Sequence, residues 1–361
     1  MRRVLVIALA LLLSATAVVT AATSPIYPNH QDLSYYLDTA GTRHPIKTTA
    51  DWEIRRKHVL ASMEAVMGAL PGPEMRVPLD VKVEEEVRVG DLIRRKITYR
   101  THPRQRVAAY LFLPPLAAGK KAPAMLCLHP SGELGKGIAA AIGGKPHRQY
   151  ALELAQRGYV TLAPDYPTFG DYACEFDPKD GFQSGTMRAI WDNIRSVDLL
   201  QSLAQVDGSR IGAIGHSLGG HNAMFTAVFE PRIKAVVSSC GFTRFHKYYA
   251  GNLTGWTSPR YMPRIASIYE KNPDRMPFDF PEVVAALAPR PFFTNSPLRD
   301  GNFEVSGVRD SLASARPIFA LYDKLEHLQA AHPDSEHDFP DEQRMQSYAF
   351  LDQHLKAPAP K

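Results

Sequence analysis

Arg210-Ile211-Gly212-Ala213-Ile214-Gly215-His216-Ser217-Leu218-Gly219-Gly220 is the stretch on which the fold turns. The apolar run reads as a buried strand, and the Gly-x-Ser-x-Gly after it reads as a tight strand-to-helix turn with a serine at its tip. A serine hydroxyl becomes a useful nucleophile only where it stands clear of its neighbours and faces a base. Glycines on both sides let such a strained turn form without Cβ clashes. Ser217 is therefore the candidate nucleophile. The plain alternative is a Gly-rich turn that merely ends a strand, and two features downstream weigh against it.

The first is an acid beyond a later strand. Pro291-Phe292-Phe293-Thr294-Asn295 reads as a short buried strand, and the loop after it carries Asp300. The second is a base near the C-terminus, where Leu328-Gln329-Ala330-Ala331 reads as a last strand and is followed by a loop containing His337. His337 would take the Ser217 proton and return it to the leaving group, while Asp300 would fix the imidazole tautomer and stabilise the imidazolium. His332, placed in the expected last strand, and Asp310, inside the following helix, are less well placed on loops, whereas Asp334 and Asp338 flank the base and are rivals for the acid. For the oxyanion, the backbone N–H of Leu218 is the first expected donor. The second should come from the loop after the strand Ala124-Met125-Leu126-Cys127-Leu128. Pro130 has no N–H, which leaves Ser131. His129 and His216 read as supporting hydrogen-bonders, not bases.

The chain order Ser, Asp, His resembles that of the α/β-hydrolase superfamily, and within it the dienelactone hydrolase and acetyl xylan esterase-like groups. The resemblance runs over residues 105–356, through His129-Pro130-Ser131-Gly132, Ala163-Pro164-Asp165-Tyr166, the Ser217 turn, Ala288-Pro289-Arg290-Pro291 and Glu336-His337-Asp338-Phe339-Pro340. It implies an α/β fold with a doubly wound, mostly parallel sheet, and hydrolysis of an ester through an acyl-enzyme without a cofactor. Dienelactone hydrolases proper carry a cysteine nucleophile where this chain has Ser217, which favours a carboxylic-ester hydrolase over a lactone-specific enzyme. Pro130 stands where many relatives have glycine.

Met1-Arg2-Arg3 followed by an apolar core from Val4 to Leu13 and small residues through Ala21-Ala22 reads as a signal peptide over residues 1–22, so export to the periplasm or medium is expected, with no membrane anchor after cleavage. The core is short for a membrane span. Of the three cysteines, Cys127 reads as a core residue, leaving Cys174 and Cys240 as a possible bridge. No His/Cys spacing suggests a metal site. The net charge of +5 includes Arg2 and Arg3, and the remaining basic residues are scattered among acidic ones, which gives no footprint for nucleic acid. Oligomeric state is not legible.

Residues 24–48 show no periodicity and read as a surface arm. A helix is expected from Asp51 to Ala69 with Trp52, Ile54, Val59, Leu60, Met63, Val66 and Met67 on its apolar face. Val81 to Tyr99, turning at Val89-Gly90-Asp91, and Val107 to Leu113 read as antiparallel strands leading into the sheet, so residues 23–104 form an N-terminal region and 105–356 the catalytic domain, with a tail over 357–361. A separate binding module over 24–104 would have little core of its own. Residues 241–285 hold many aromatics among basic residues and read as a cap. Trp256 is the expected platform for a sugar or aromatic group, with Arg260 and Tyr261 beside it as substrate contacts, although many of these aromatics would serve as the cap's own core. The expected function is an exported serine esterase acting on a small-molecule or polysaccharide ester, carbohydrate-linked by preference. An oligopeptidase-type serine peptidase shares the triad order but is expected to bring an N-terminal propeller, and a non-catalytic binding protein of the same fold would not need a complete triad.

Overall fold

A computed structural model describes residues 25–356. The expected signal peptide and the 357–361 tail lie outside the described residues. In chain order the strands are β1 (Tyr35–Leu37), β2 (Arg43–Pro45), β3 (Lys82–Val89), β4 (Leu92–His102), β5 (Gln105–Leu113), β6 (Ala122–Leu128), β7 (Val160–Pro164), β8 (Val206–His216), β9 (Ile233–Ser239), β10 (Phe292–Asn295) and β11 (Leu328–Ala331). The helices are α1 (Thr49–Met67), α2 (Lys136–Ala139), α3 (Tyr150–Gln156), α4 (Gly185–Ser202), α5 (Leu218–Phe229), α6 (Arg264–Ser267), α7 (Phe280–Ala285), α8 (Val305–Leu321) and α9 (Asp341–Leu355).

Strands β6, β7 and β10, β8 from Ile211 onward and β9 apart from Lys234 are buried on both faces, the pattern that a helix-covered parallel sheet demands. They form the centre of a nine-stranded sheet in the order β11-β10-β9-β8-β6-β7-β5-β4-β3. Pairing is parallel from β7 through β6 to β11, while β3, β4 and β5 make an antiparallel meander that joins β7 antiparallel. The chain runs from β6 outward to β7 and then crosses back to β8. The order therefore reverses between β6 and β8, and ligands of open α/β sheets bind at the carboxyl ends of strands at such a switch point.

Helix α1 begins at a capping box, with Thr48 and Asp51 satisfying each other's backbone N–H, and ends at Gly68 in a positive-φ conformation. Trp52, Val59, Met63, Val66 and Met67 are buried as expected, but Ile54 is exposed and Arg55 takes a buried place instead. Arg55 is held by the arm and the cap together. Its guanidinium lies 3.0 Å from the Tyr27 ring centroid, donates to Tyr35 O and pairs with Glu282 on α7 at 2.5 Å. The arm is more ordered than its sequence suggests, since β1 and β2 close a small antiparallel hairpin and Tyr27, Leu33 and Tyr35 are buried. It shares the main core with the sheet and does not stand apart as a module.

The cap segment winds through short 3-10 turns and the short helices α6 and α7. All three cysteines are free, so the possible Cys174–Cys240 bridge is not formed. Each of the two thiols lies instead against a carbonyl, that of Glu175 for Cys174 and that of Asp338 for Cys240. No helix among the described residues is long and apolar enough to cross a membrane.

Candidate active site

Strand β8 ends in His216, and Ser217 follows with φ +55° and ψ −120°, a conformation that L-residues rarely adopt. The turn is tight because its glycines allow contact that a side chain would forbid. A Cβ on Gly215 would stand 2.2 Å from the Gly219 backbone, and one on Gly219 would stand 1.9 Å from Leu128 O. The Ser217 N–H donates to Ser239 O on β9, which anchors the turn to the neighbouring strand. Ser217 is thereby partly exposed above the sheet.

His337 Nε2 lies 2.9 Å from Ser217 Oγ, and its Nδ1 lies 3.0 and 2.9 Å from the two Asp300 carboxylate oxygens. An ionised carboxylate only accepts, so Nδ1 carries the proton and Nε2 is left to accept from the serine hydroxyl. Burial pushes the Asp300 carboxyl up. The hydrogen bond and charge of His337 and the N–H groups of Phe303 and Asn302 outweigh it and hold the pKa below the ordinary carboxylate value. The rivals are engaged elsewhere: Asp334 with Arg299, Asp338 with Arg148 and His147, and Asp310 with Arg244. His332 follows β11 and is bonded through Nδ1 to Ser296 O.

Asp300 and His337 stand 37 positions apart, yet the ladder between β10 and β11 continues past the strand ends and zips their loops together. Ser296, Leu298 and Arg299 donate from the backbone to Ala331, Pro333 and Ser335. On the other side of the switch point, Leu128 of β6 pairs with Gly215 of β8, so the loop of His129 to Ser131 lies beside the Ser217 turn. Leu218 is the first residue of α5, where an N–H has no partner within the helix. His129 accepts from the Tyr166 N–H through Nε2, so its Nδ1 carries the proton and donates to Pro130 O at 2.7 Å. The ring thus clamps the loop that presents Ser131. Burial pulls the His129 pKa down and keeps it neutral.

His216 is buried 5.0 Å from the His337 ring, with Nδ1 2.9 Å from Ser239 Oγ. Burial, with the charges of Arg148 and His337, pushes its pKa well below the ordinary histidine value, so it adds no cation beside His337. Trp256 is 6% exposed and sits among His221, Tyr248, Tyr261 and Phe303, a wall of the cap's core where an open platform was expected. Tyr261 reaches the Ser131 hydroxyl at 3.4 Å, and Arg260 lies over Phe169. Sequence reading missed two supports of the His337 loop. Asn295 bonds Ser239 and Asp338 O, and Arg148 bonds both the Asp338 carboxylate and His337 O. Only contact across the fold reveals them, for no local motif marks Arg148.

Residues 146–357 match the profile of the prolyl oligopeptidase family. The chain is 28% identical over 233 residues to the protein named "Putative hydrolase YtaP" of Bacillus subtilis (strain 168), covering 62% of this chain and 70% of that one. Among solved structures it is similar to a glucuronoyl esterase from Solibacter usitatus, with a TM-score of 0.71 and 21% identity over 92% of this chain and 99% of the other. Acetyl xylan esterase 1 from Thermoanaerobacterium sp. gives a TM-score of 0.53 and 18% identity over 81% and 97%. At these identities the structural likeness is one of fold.

Proposed function

The chain belongs to the prolyl oligopeptidase family and has an α/β-hydrolase fold, and from that premise we propose an exported serine esterase that cleaves carboxylic esters, carbohydrate-linked ones in particular. The observation that carries this reading is the unbroken hydrogen-bonded chain Ser217, His337, Asp300. Ser217 Oγ attacks the ester carbonyl while His337 Nε2 takes its proton, and the N–H groups of Leu218 and Ser131 receive the oxyanion. His337 then returns the proton to the departing alcohol, leaving Ser217 acylated. Water, deprotonated by the same nitrogen, releases the carboxylic acid and restores the serine. The esterase names of the structural neighbours, which match nearly full-length, and the aromatic and basic cap support the substrate class. The basic and apolar start of the sequence supports export.

A serine-reactive fluorophosphonate should place one adduct on Ser217. A panel of acetyl, butyryl, feruloyl and methyl-glucuronoyl esters beside a peptide amide, run with Ser217→Ala, should show turnover of esters that the variant lacks, by roughly 10⁶ in kcat. Labelling elsewhere with activity kept in Ser217→Ala would overturn the mechanism. The family match favours one second reading, an oligopeptidase-type peptidase, since the same groups can cleave an amide. Faster turnover of the peptide than of every ester would select it.

A further inference from the structure

Arg260 is a cation held in place with no carboxylate partner among the described residues. Elsewhere in the cap, Arg244 pairs with Asp279 and Asp310, Lys247 faces Glu304, Arg275 pairs with Glu270, and Arg264 donates to Ala65 O. Among the described residues Arg260 donates only from Nε, to the neutral Thr168 hydroxyl, and stacks with its guanidinium carbon 4.3 Å from the Phe169 ring centroid. Of the carboxylates on the adjoining groove, Asp171 is engaged by Lys96 and Lys136, Asp180 by Arg104 and Arg188 and Asp177 by Arg104 at 3.9 Å, while Glu175 pairs with no cation among the described residues, Arg260 included.

The backbone beneath this side chain is unusually well fixed. Three successive carbonyls are each bonded: Pro259 O by the Gly185 N–H, Arg260 O by the Tyr166 hydroxyl, and Tyr261 O by the Thr186 N–H. Two of these donors are the first residues of α4, and Gly185 permits the approach, since a Cβ there would stand 2.1 Å from Arg260 O. The neighbours of Arg260 border the reacting serine. Phe169 meets His129 edge-on, Tyr261 reaches Ser131, and both pack against the small cluster of Tyr166, Ala189 and Leu218.

We propose that Arg260 is a specificity-determining residue that binds a free carboxylate on the substrate, so that the preferred ester carries an anionic group such as a uronic acid beyond the scissile bond. The proposal rests on the esterase reading for its kinetics. Physically, a guanidinium stacked on an aromatic ring and tied through Nε keeps its terminal N–H groups as a flat fork, which suits a carboxylate and is already ordered before binding.

Two matched pairs of esters test it: mono-4-nitrophenyl glutarate against 4-nitrophenyl butyrate for the acyl side, and O-acetylglucuronic acid against O-acetylglucose for the alcohol side. The readout is the ratio of kcat/KM within a pair, in wild type, Arg260→Gln and Arg260→Lys. Wild type should prefer the carboxylated member of one pair by roughly ten- to a hundredfold, as expected for a hydrogen bond between charged groups. Arg260→Gln should bring that ratio near one, and Arg260→Lys should leave it between. No preference in wild type for either pair, or the same ratio in Arg260→Gln, overturns the proposal. Failure of the esterase reading would look different, with no ester turned over at all. Calorimetric titration with glucuronate against glucose still decides the matter in that case: selective binding of glucuronate lost in Arg260→Gln supports the anion site, and equal or absent binding of both sugars overturns it.

Discussion

Ser217 holds a positive-φ conformation that costs on the order of 1–3 kcal/mol, and the surrounding glycine contacts and the Ser239 hydrogen bond keep it there. That strain lifts the hydroxyl to His337. If Asp300 sets the imidazole tautomer, Asp300→Asn should lower kcat by roughly 10⁴ at neutral pH with the fold intact. Asp334→Asn, which loses only an exposed pairing with Arg299, should change kcat little; a larger effect there than at Asp300 would move the acid. Trp256 raises a different question, because its burial makes it structural whatever else it touches. Its truncation to alanine should cost roughly 3–5 kcal/mol and depress turnover of large and small esters together. Melting temperature and two ester assays check this, and a loss confined to the bulky ester at an unchanged melting point would restore the platform role. Beneath Trp256, burial pushes His221 down to about 3, so it acts as a neutral aromatic ring in this wall.

The decisive elements are two loops and the strands that feed them. The β10–β11 ladder runs on into the loops of Asp300 and His337, so the two side chains are held by one continuous run of backbone hydrogen bonds beside the Ser217 turn. Arg148, just before α3, pins the far side of the base loop through the Asp338 carboxylate and His337 O. Burial pushes the Asp338 carboxyl up, but the Phe339 N–H and the Arg148 and His147 contacts outweigh it and keep it ionised. Arg148→Ala should therefore let the imidazole drift, and a displacement of about 1 Å costs on the order of 10² in rate, so kcat should fall with little change in KM. Arg148→Lys should recover part of it, keeping the charge and losing the fork. Equal kcat in the alanine variant and wild type would reduce this pair to ordinary surface chemistry. Asp338 is a rival to Asp300 when only the sequence is read, and the fold has it bonded to Arg148 and Asn295, holding the loop that carries His337.

At the scale of the molecule, the N-terminal arm is fastened to the cap through buried charge. His30 Nε2 donates to Met276 O at 2.9 Å while Nδ1 lies 2.8 Å from the Glu282 carboxylate that also pairs with Arg55. Both neighbours are acceptors, which favours the imidazolium. Burial lowers the His30 pKa, and the Glu282 hydrogen bond, the Glu282 and Asp279 charges and the Met276 carbonyl together raise it above the ordinary value. A raised folded pKa means stability that is complete below about pH 6.5 and is lost as pH rises through the folded value, at no more than about 1.4 kcal/mol per pH unit for one proton. Melting curves from pH 6 upward should show this decline in wild type and a flatter one in His30→Gln; identical slopes would remove His30 as its source. Much of the architecture was legible beforehand, because hydrophobic periodicity and glycine spacing are local signals: the Ser217 turn, the buried strands around it, the antiparallel lead-in and α1 all come from residues close in sequence. The arm hairpin, the burial of Arg55 and Ile54's exposure were not, since each depends on a partner that folding brings from far away. The order of residues by itself determined which side chains are chemically competent and that Ser, Asp and His follow strands of one sheet. Only the tertiary structure decided that Asp300 and not Asp338 faces His337, that Trp256 is wall more than platform, and that Arg260 pairs with no acid among the described residues, because hydrogen-bond partners and burial are properties of neighbours in space and not of neighbours in the chain.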